Sequence, residues 1–327
     1  MRRRSFHDED MVYKAQAIFF NKHDLDIHSS LRKRLDSLDR DAENPYPDMF
    51  LQDVVNKIIP YKGGYKFTLT TPNEIQEIRL ASAFLSPDAS LTEAAEKFIR
   101  NSSFDLLKYE QVFFDVVVCH STKDNSYVGF ELRRIPPLTV KKRLTKWVQY
   151  IPDEIANEFK VASRIELTSE RLVVLKLPRN IRDIIRHTLE NLSIVGKVEI
   201  PDFVSASWRG ESGVSFNQSE LSRSKEIAFA TATKEVGWNC RNYYSGSVLE
   251  FYELDRFLRF AMFTANLRNL IMTMLNSELS RIESTVGFLF QLQLTGLSSV
   301  NDLHVIRDDL YEGKKPLKTI LNSLLTT

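Results

Sequence analysis

The chain has 327 residues, 43% hydrophobic and 27% charged, with a formal net charge of +1. That length accommodates two domains or one large one, and the balanced charge leaves no global field to draw the chain onto nucleic acid or an anionic membrane, so any such binding needs a local patch. Two cysteines, Cys119 and Cys240, are too few for a disulfide-rich scaffold or a thiolate zinc site, and reduced thiols in a cytosol are the expectation.

The opening MRRRSFHDED has a basic tip broken by His7, Asp8, Glu9 and Asp10, with only a short apolar run after it, and does not read as a signal peptide. Residues 11–42 are expected to be helical in two pieces, parted near NKHDLDIHSS, with Leu31, Leu35 and Leu38 at helical spacing. In that break His23, Asp24, Asp26 and His28 offer metal donors. The two histidines stand five apart, off a shared helix face, so a helix start is the expected reading and no metal site is assigned. The prolines of AENPYPD force a turn ahead of a short helix, Met49 to Ile59, which ends at Pro60. YKGGYKFTLT reads as a turn at Gly63–Gly64 and then a strand, and Pro72 opens a helix to about Leu85.

SPDASLTEAAEKFIRNSS carries a capping box, Ser90 with Glu93, and its helix sets Leu91, Ala94, Ala95 and Phe98 on one face. VFFDVVVCHSTKDNSYVGFELRRIPPLTV then reads as a β-hairpin with a polar turn. FKVASRIELT and RLVVLKLP are expected to form a further strand pair joined by the polar SE. The helix RNIRDIIRHTLENL follows, its apolar side made by Ile181, Ile184, Ile185, Thr188, Leu189 and Leu192. Residues 196–247, rich in Ser, Gly and Asn, are expected to be an irregular connection. From about Val248 to Ile282 a stripe of Leu254, Leu258, Ala261, Ala265, Ile271, Leu275 and Leu279 predicts a long helix, with a break expected near Asn266 or Asn276. Two short helices, Val300 to Tyr311 and Pro316 to Leu325, complete the chain, with Gly313 between them. No run of about 18 apolar residues exists, so no transmembrane helix is expected.

Few residues suggest chemistry. Cys119 and His120 are adjacent in a strand, where successive side chains point to opposite faces, so they cannot act as nucleophile and base. Cys119 is expected to be buried and His120 to enter the turn. Asp115, Glu131 and Arg133 loosely imitate an acidic metal site of a nuclease on paired strands, a pattern that also arises by chance in any hairpin. KKRLTKW places Lys141, Lys142, Arg143 and Lys146 beside Trp147, cations with an aromatic that suit phosphate contact and base stacking, or a solvated turn with an anchored Trp. On the long helix, Arg256, Arg259, Arg268 and Arg281 are expected to pair with Glu253, Asp255 and Glu278. Phe251, Phe257, Phe260 and Phe263 are candidates for core packing or self-association. Neither GxGxxG nor GxxxxGK[ST] is present, and EGKKPLKT lacks the upstream glycine, so no cofactor is expected.

The order of elements resembles the wing region of portal proteins from tailed bacteriophages. The resemblance is carried by SLTEAAEKFIRNSSFDLLKY, the VFFDVVVCHSTKDNSYVGFELRRIPPLTV hairpin, WVQYIP and a strand pair ending in LP, with EFYELDRFLRFAMFTANLRNLIMTMLNSEL similar to a long helix of that family. It implies a non-enzymatic ring of identical subunits through which double-stranded DNA passes, in a cytoplasmic or virion setting, with packaging and capsid proteins as partners. A nucleic-acid-binding or metal-dependent nuclease-like protein using residues 109–147 is the alternative. The fold expected is α+β, mainly helical, with antiparallel hairpins in the middle third and a long helix in the C-terminal half. Its expected divisions are 1–195, 196–247 and 248–327.

Overall fold

The computed structural model describes residues 11–19, 45–60, 64–70, 73–86, 88–124, 127–197, 227–239 and 250–325. The candidate metal donors from His23 to His28, the Leu31–Leu38 repeat, Gly63, Pro72 and Cys240 lie outside them. The elements begin with β1 (Met11–Lys14), α1 (Tyr46–Ile58), β2 (Lys66–Leu69), α2 (Glu74–Ala83) and α3 (Leu91–Tyr109). Next come β3 (Gln111–Ser121), β4 (Tyr127–Ile135), β5 (Val140–Arg143), β6 (Lys146–Tyr150), α4 (Asp153–Phe159), β7 (Arg164–Leu167) and β8 (Leu172–Lys176). The helices α5 (Arg179–Lys197), α6 (Glu250–Arg281) and α7 (Glu283–Val286) follow, then β9 (Leu292–Thr295), α8 (Val300–Tyr311) and α9 (Leu317–Leu325). The fold is α+β, with antiparallel sheets in the middle third and a long helix in the C-terminal half. Among the described residues no helix is long and apolar enough to cross a membrane.

Two compact units interleave along the chain, in contrast to the sequential division expected from composition. One takes its described residues from segments 1–33, 61–177 and 269–297, the other from 34–60, 178–268 and 298–327.

The first unit is built around β3. Its one edge pairs with β4, and its other edge pairs with β8 over Gln111–Asp115 and with β1 over Val118–Ser121. Met11–Lys14 is therefore a strand and not the start of a helix. It covers the stretch of β3 edge that β8 leaves bare, and paired backbone outweighs local helical periodicity. Both faces of β3 are buried. Phe114 meets Phe98 of α3, which stacks on Phe84 (ring centroids 4.9 and 4.4 Å), while Phe113 on the opposite face meets Trp147 of β6 at 5.2 Å. The predicted capping box starts α3: Ser90 Oγ accepts from the Glu93 N–H (3.3 Å), and the Ser90 N–H donates to Glu93 Oε2 (2.8 Å).

β7 and β8 do not pair with each other. β7 joins β6 in a three-stranded sheet, order β5-β6-β7, and β8 joins β3. Their short link, a 3₁₀ turn at Ser169–Arg171, moves the chain between sheets because arginines hold it there. Arg171 donates to the carbonyls of Val116 and Lys14, and Arg281 donates to those of Ser169 and Leu172. The helix α4 between β6 and β7 was not expected; it ends at Lys160 in the left-handed region (φ 54°).

In the second unit, Leu254, Leu258, Ala265, Leu303, Leu310 and Ile320 form a core cluster. Residues 227–239, expected to be part of an irregular connection, are instead packed. Trp238 is buried with its ring edge-on to Phe50 and Phe229, and its indole N–H donates to Asp53 Oδ2 (3.0 Å). Gly237 (φ 77°) permits this, since a Cβ there would stand 2.4 Å from the Arg256 carbonyl oxygen. The remainder of the expected connection, 198–226 and 240–247, lies outside the described residues.

The helix α6 is unbroken over its 32 residues. Neither Asn266 nor Asn276 interrupts it. Asn266 faces solvent, and Asn276 holds β9 by two bonds, its Nδ2 donating to the Leu292 carbonyl (2.9 Å) and its Oδ1 accepting the Leu292 N–H (2.8 Å).

Candidate nucleic-acid interface

The three-stranded sheet has two unlike faces. Its registers pair Lys141 with Val148, Arg143 with Lys146, Val148 with Glu166 and Tyr150 with Arg164. Strand alternation sets these residues on one face and Val140, Trp147, Gln149, Ile165 and Leu167 on the other. The second face is the inner one. Val140 and Leu167 join Phe113, Ile135 and Leu172 in a core cluster, with Trp147 and Ile165 packed against it. Gln149, fully buried, clamps Ile18 by donating to its carbonyl (2.7 Å) and accepting its N–H (3.0 Å).

The outer face carries four cations and one carboxylate. Lys146 pairs with Glu166 at 2.7 Å. The other three gather around one ring: Arg143, Arg164 and Lys141 lie 5.4, 5.7 and 5.9 Å from the Tyr150 centroid. None of the three makes an ion pair among the described residues. The Tyr150 hydroxyl is buried and has no hydrogen-bond partner among them. Each cation–π contact at such an exposed site contributes about 0.5–1 kcal/mol. Like charges held this close repel, and an anion set between them relieves that repulsion. The arrangement is suited to holding phosphate.

Of the sequence candidates, Lys141 and Arg143 join this cluster. Lys146 sits on the same face but is neutralised by Glu166. Lys142 extends over Trp147 (5.6 Å), whose ring is turned inward on Phe113 and is not presented for base stacking. Arg164 and Tyr150 were not anticipated. Both depend on the β6–β7 register, and α4 separates them in the chain. The only trace in the sequence is the alternation of WVQY, which puts Tyr150 opposite in face to Trp147.

The hairpin candidates serve the fold. Asp115 is fully buried, and its Oδ2 accepts the N–H groups of Gln16 (2.7 Å) and Ala17 (3.1 Å). Oδ1 has no hydrogen bond and stands 3.9 Å from Arg171 Nη2. Burial raises its pKa, against the lowering effect of those donors and of Arg171. Glu131 is taken up by Arg133 Nε (2.7 Å). Among the described residues no group of three His, Cys, Asp or Glu is placed to hold a metal ion. Cys119 is buried, and its thiol is pushed up to about 12, by burial first and by Glu131 second. His120 lies on the opposite face of β3, its ring 6.4 Å from Tyr127. The register irregularity at this point skips a residue of β4, so β3 keeps its alternation.

The aromatic residues proposed for self-association are mostly engaged within their own unit. Phe260 is buried, Phe251 and Phe257 pack against the core cluster, and Lys57 Nζ lies 5.0 Å over the Phe257 ring; Phe263 is half-buried. Of the arginines expected to pair with acids, Arg259 pairs with Asp255 (2.8 Å) and Arg281 with Glu278 (2.7 Å). Arg256 instead donates to the Trp238 carbonyl (2.6 Å), and Arg268 to that of Ser298 (2.6 Å). No family model and no curated protein matches the chain.

Proposed function

We propose that this protein is a non-enzymatic nucleic-acid-binding protein that grips the phosphate backbone with the outer face of β5-β6-β7. The observation that carries this reading is the group of Lys141, Arg143 and Arg164 around Tyr150, cations with no carboxylate partner among the described residues. An isolated surface lysine needs no explanation, but three cations converging on one ring have, among the described residues, no acid that would stabilise them. The direct test is fluorescence anisotropy with a labelled duplex at low salt. Wild type binds, and the Lys141→Ala, Arg143→Ala, Arg164→Ala triple variant loses binding. Equal affinity of the two would refute the assignment.

A second reading is a portal-like ring subunit around DNA. It is supported by the capped helix α3, the β3–β4 hairpin and the unbroken α6, three of the elements on which the sequence resemblance rests, while the strand pair ending in LP, another of them, does not form. Light scattering behind size exclusion tests it: a ring has a native mass many times 37.9 kDa, and a monomer excludes it.

A further inference from the structure

The two-residue loop of the β5–β6 hairpin is Leu144–Thr145, closed by the Arg143–Lys146 pair. Loops of this length favour Gly, Asn or Asp where φ is positive. Here the position is held by Leu144, at φ 49°. Leu144 is also 98% exposed, the most of any large hydrophobic residue among those described. Neither the backbone nor any packing among the described residues therefore selects leucine at this tip.

The tip has a cationic collar. Arg143 flanks it, Lys141 and Lys142 stand within three residues, and Lys146 on the other side is paired with Glu166. The charge does not stop there. It runs back along the ribbon to Arg164 beside Tyr150, four residues beyond Lys146 and roughly 13 Å along the strand. A membrane plane meeting the tip would leave Arg164 without a partner, whereas a phosphate backbone followed by the ribbon would engage it. The aromatic rings narrow the choice further. Trp147 is turned into the core and Tyr150 is ringed by cations, so no open stacking platform is offered to a single strand.

Resting on the phosphate-binding reading above, we infer that the β5–β6 hairpin is a duplex wedge: Leu144 inserts between stacked base pairs while Arg143, Lys141 and Arg164 hold the flanking phosphates. A two-stranded ribbon can lie in the minor groove, and aliphatic side chains driven from there into a base step unstack it and bend the duplex. No covalent step is involved.

The test uses the full chain and a short duplex carrying 2-aminopurine at its centre and a fluorophore pair at its ends. Wild type raises the 2-aminopurine fluorescence and brings the ends closer. Leu144→Gly, which suits the positive φ and keeps the fold, abolishes both signals and weakens duplex affinity by about tenfold or more, leaving the salt dependence unchanged. If Leu144→Gly binds and bends as wild type does, the wedge is wrong while phosphate binding stands. If wild type does not bind duplex at all, the phosphate-binding reading itself fails. Tighter binding to a single strand, or Leu144-dependent binding to phosphatidylserine vesicles in place of duplex, overturns the duplex assignment.

Discussion

Asp115 is a fully buried carboxylate whose work is structural: it terminates the two N–H groups that follow β1. Removing it by Asp115→Ala leaves those donors unsatisfied, an expected loss of about 2–4 kcal/mol in urea denaturation. Asp115→Asn keeps an acceptor and loses less. The pH dependence has a definite sign. Because burial raises the folded pKa, the contribution of Asp115 to stability is full below its unfolded value, about 4, and is lost as pH rises through the folded value. The Asp115→Asn variant should therefore gain on wild type as pH increases from about 4. A constant difference between their urea midpoints across that range would contradict this. Cys119 gives a second test at this scale. With its thiol pushed up to about 12 and buried, it is inert in the native state. In a Cys240→Ser background Ellman's reagent at about pH 8 should find no thiol until guanidinium is added. Rapid labelling without denaturant would show that the site opens.

At the scale of elements, the features legible in the sequence are those set by neighbours in the chain. The Ser90–Glu93 box fixes the start of α3, and the absence of Gly and Pro with a continuous apolar stripe fixes α6. What was not legible depends on partners far away in sequence. β1 exists because β3 has an uncovered edge, and β7 and β8 separate because Arg171 and Arg281 capture the link between them. The same limit applies to the site. KKRLTK is contiguous and visible, whereas Tyr150 and Arg164 meet only through strand register. The two asparagines of α6 show how alike such residues look locally and how differently they act. Asn276→Ala breaks both bonds to Leu292 and should cost about 1–3 kcal/mol. Asn266→Ala, on an exposed position, should stay within about 0.5 kcal/mol. Urea titrations of the two variants measure the contrast, and equal midpoints would remove the role assigned to Asn276.

For the molecule as a whole, 44 basic residues against 43 acidic ones give no long-range attraction to a polyanion. The proposed binding therefore has to come from a local face where cations outnumber acids, as on the outer side of β5-β6-β7, and its strength should be limited by how few they are. With the three outer-face cations that have no carboxylate partner among the described residues, Lys141, Arg143 and Arg164, neutralising phosphates, log K against log salt concentration should fall with a slope of about −2.7. Each of Lys141→Ala, Arg143→Ala and Arg164→Ala should reduce that slope by about 0.9. The salt titration of duplex binding by wild type and the triple variant is the most direct measurement of the central claim. The account predicts that slope for wild type and its near disappearance in the triple variant. A wild type that does not bind at low salt, or a triple variant with the wild-type slope, would contradict it.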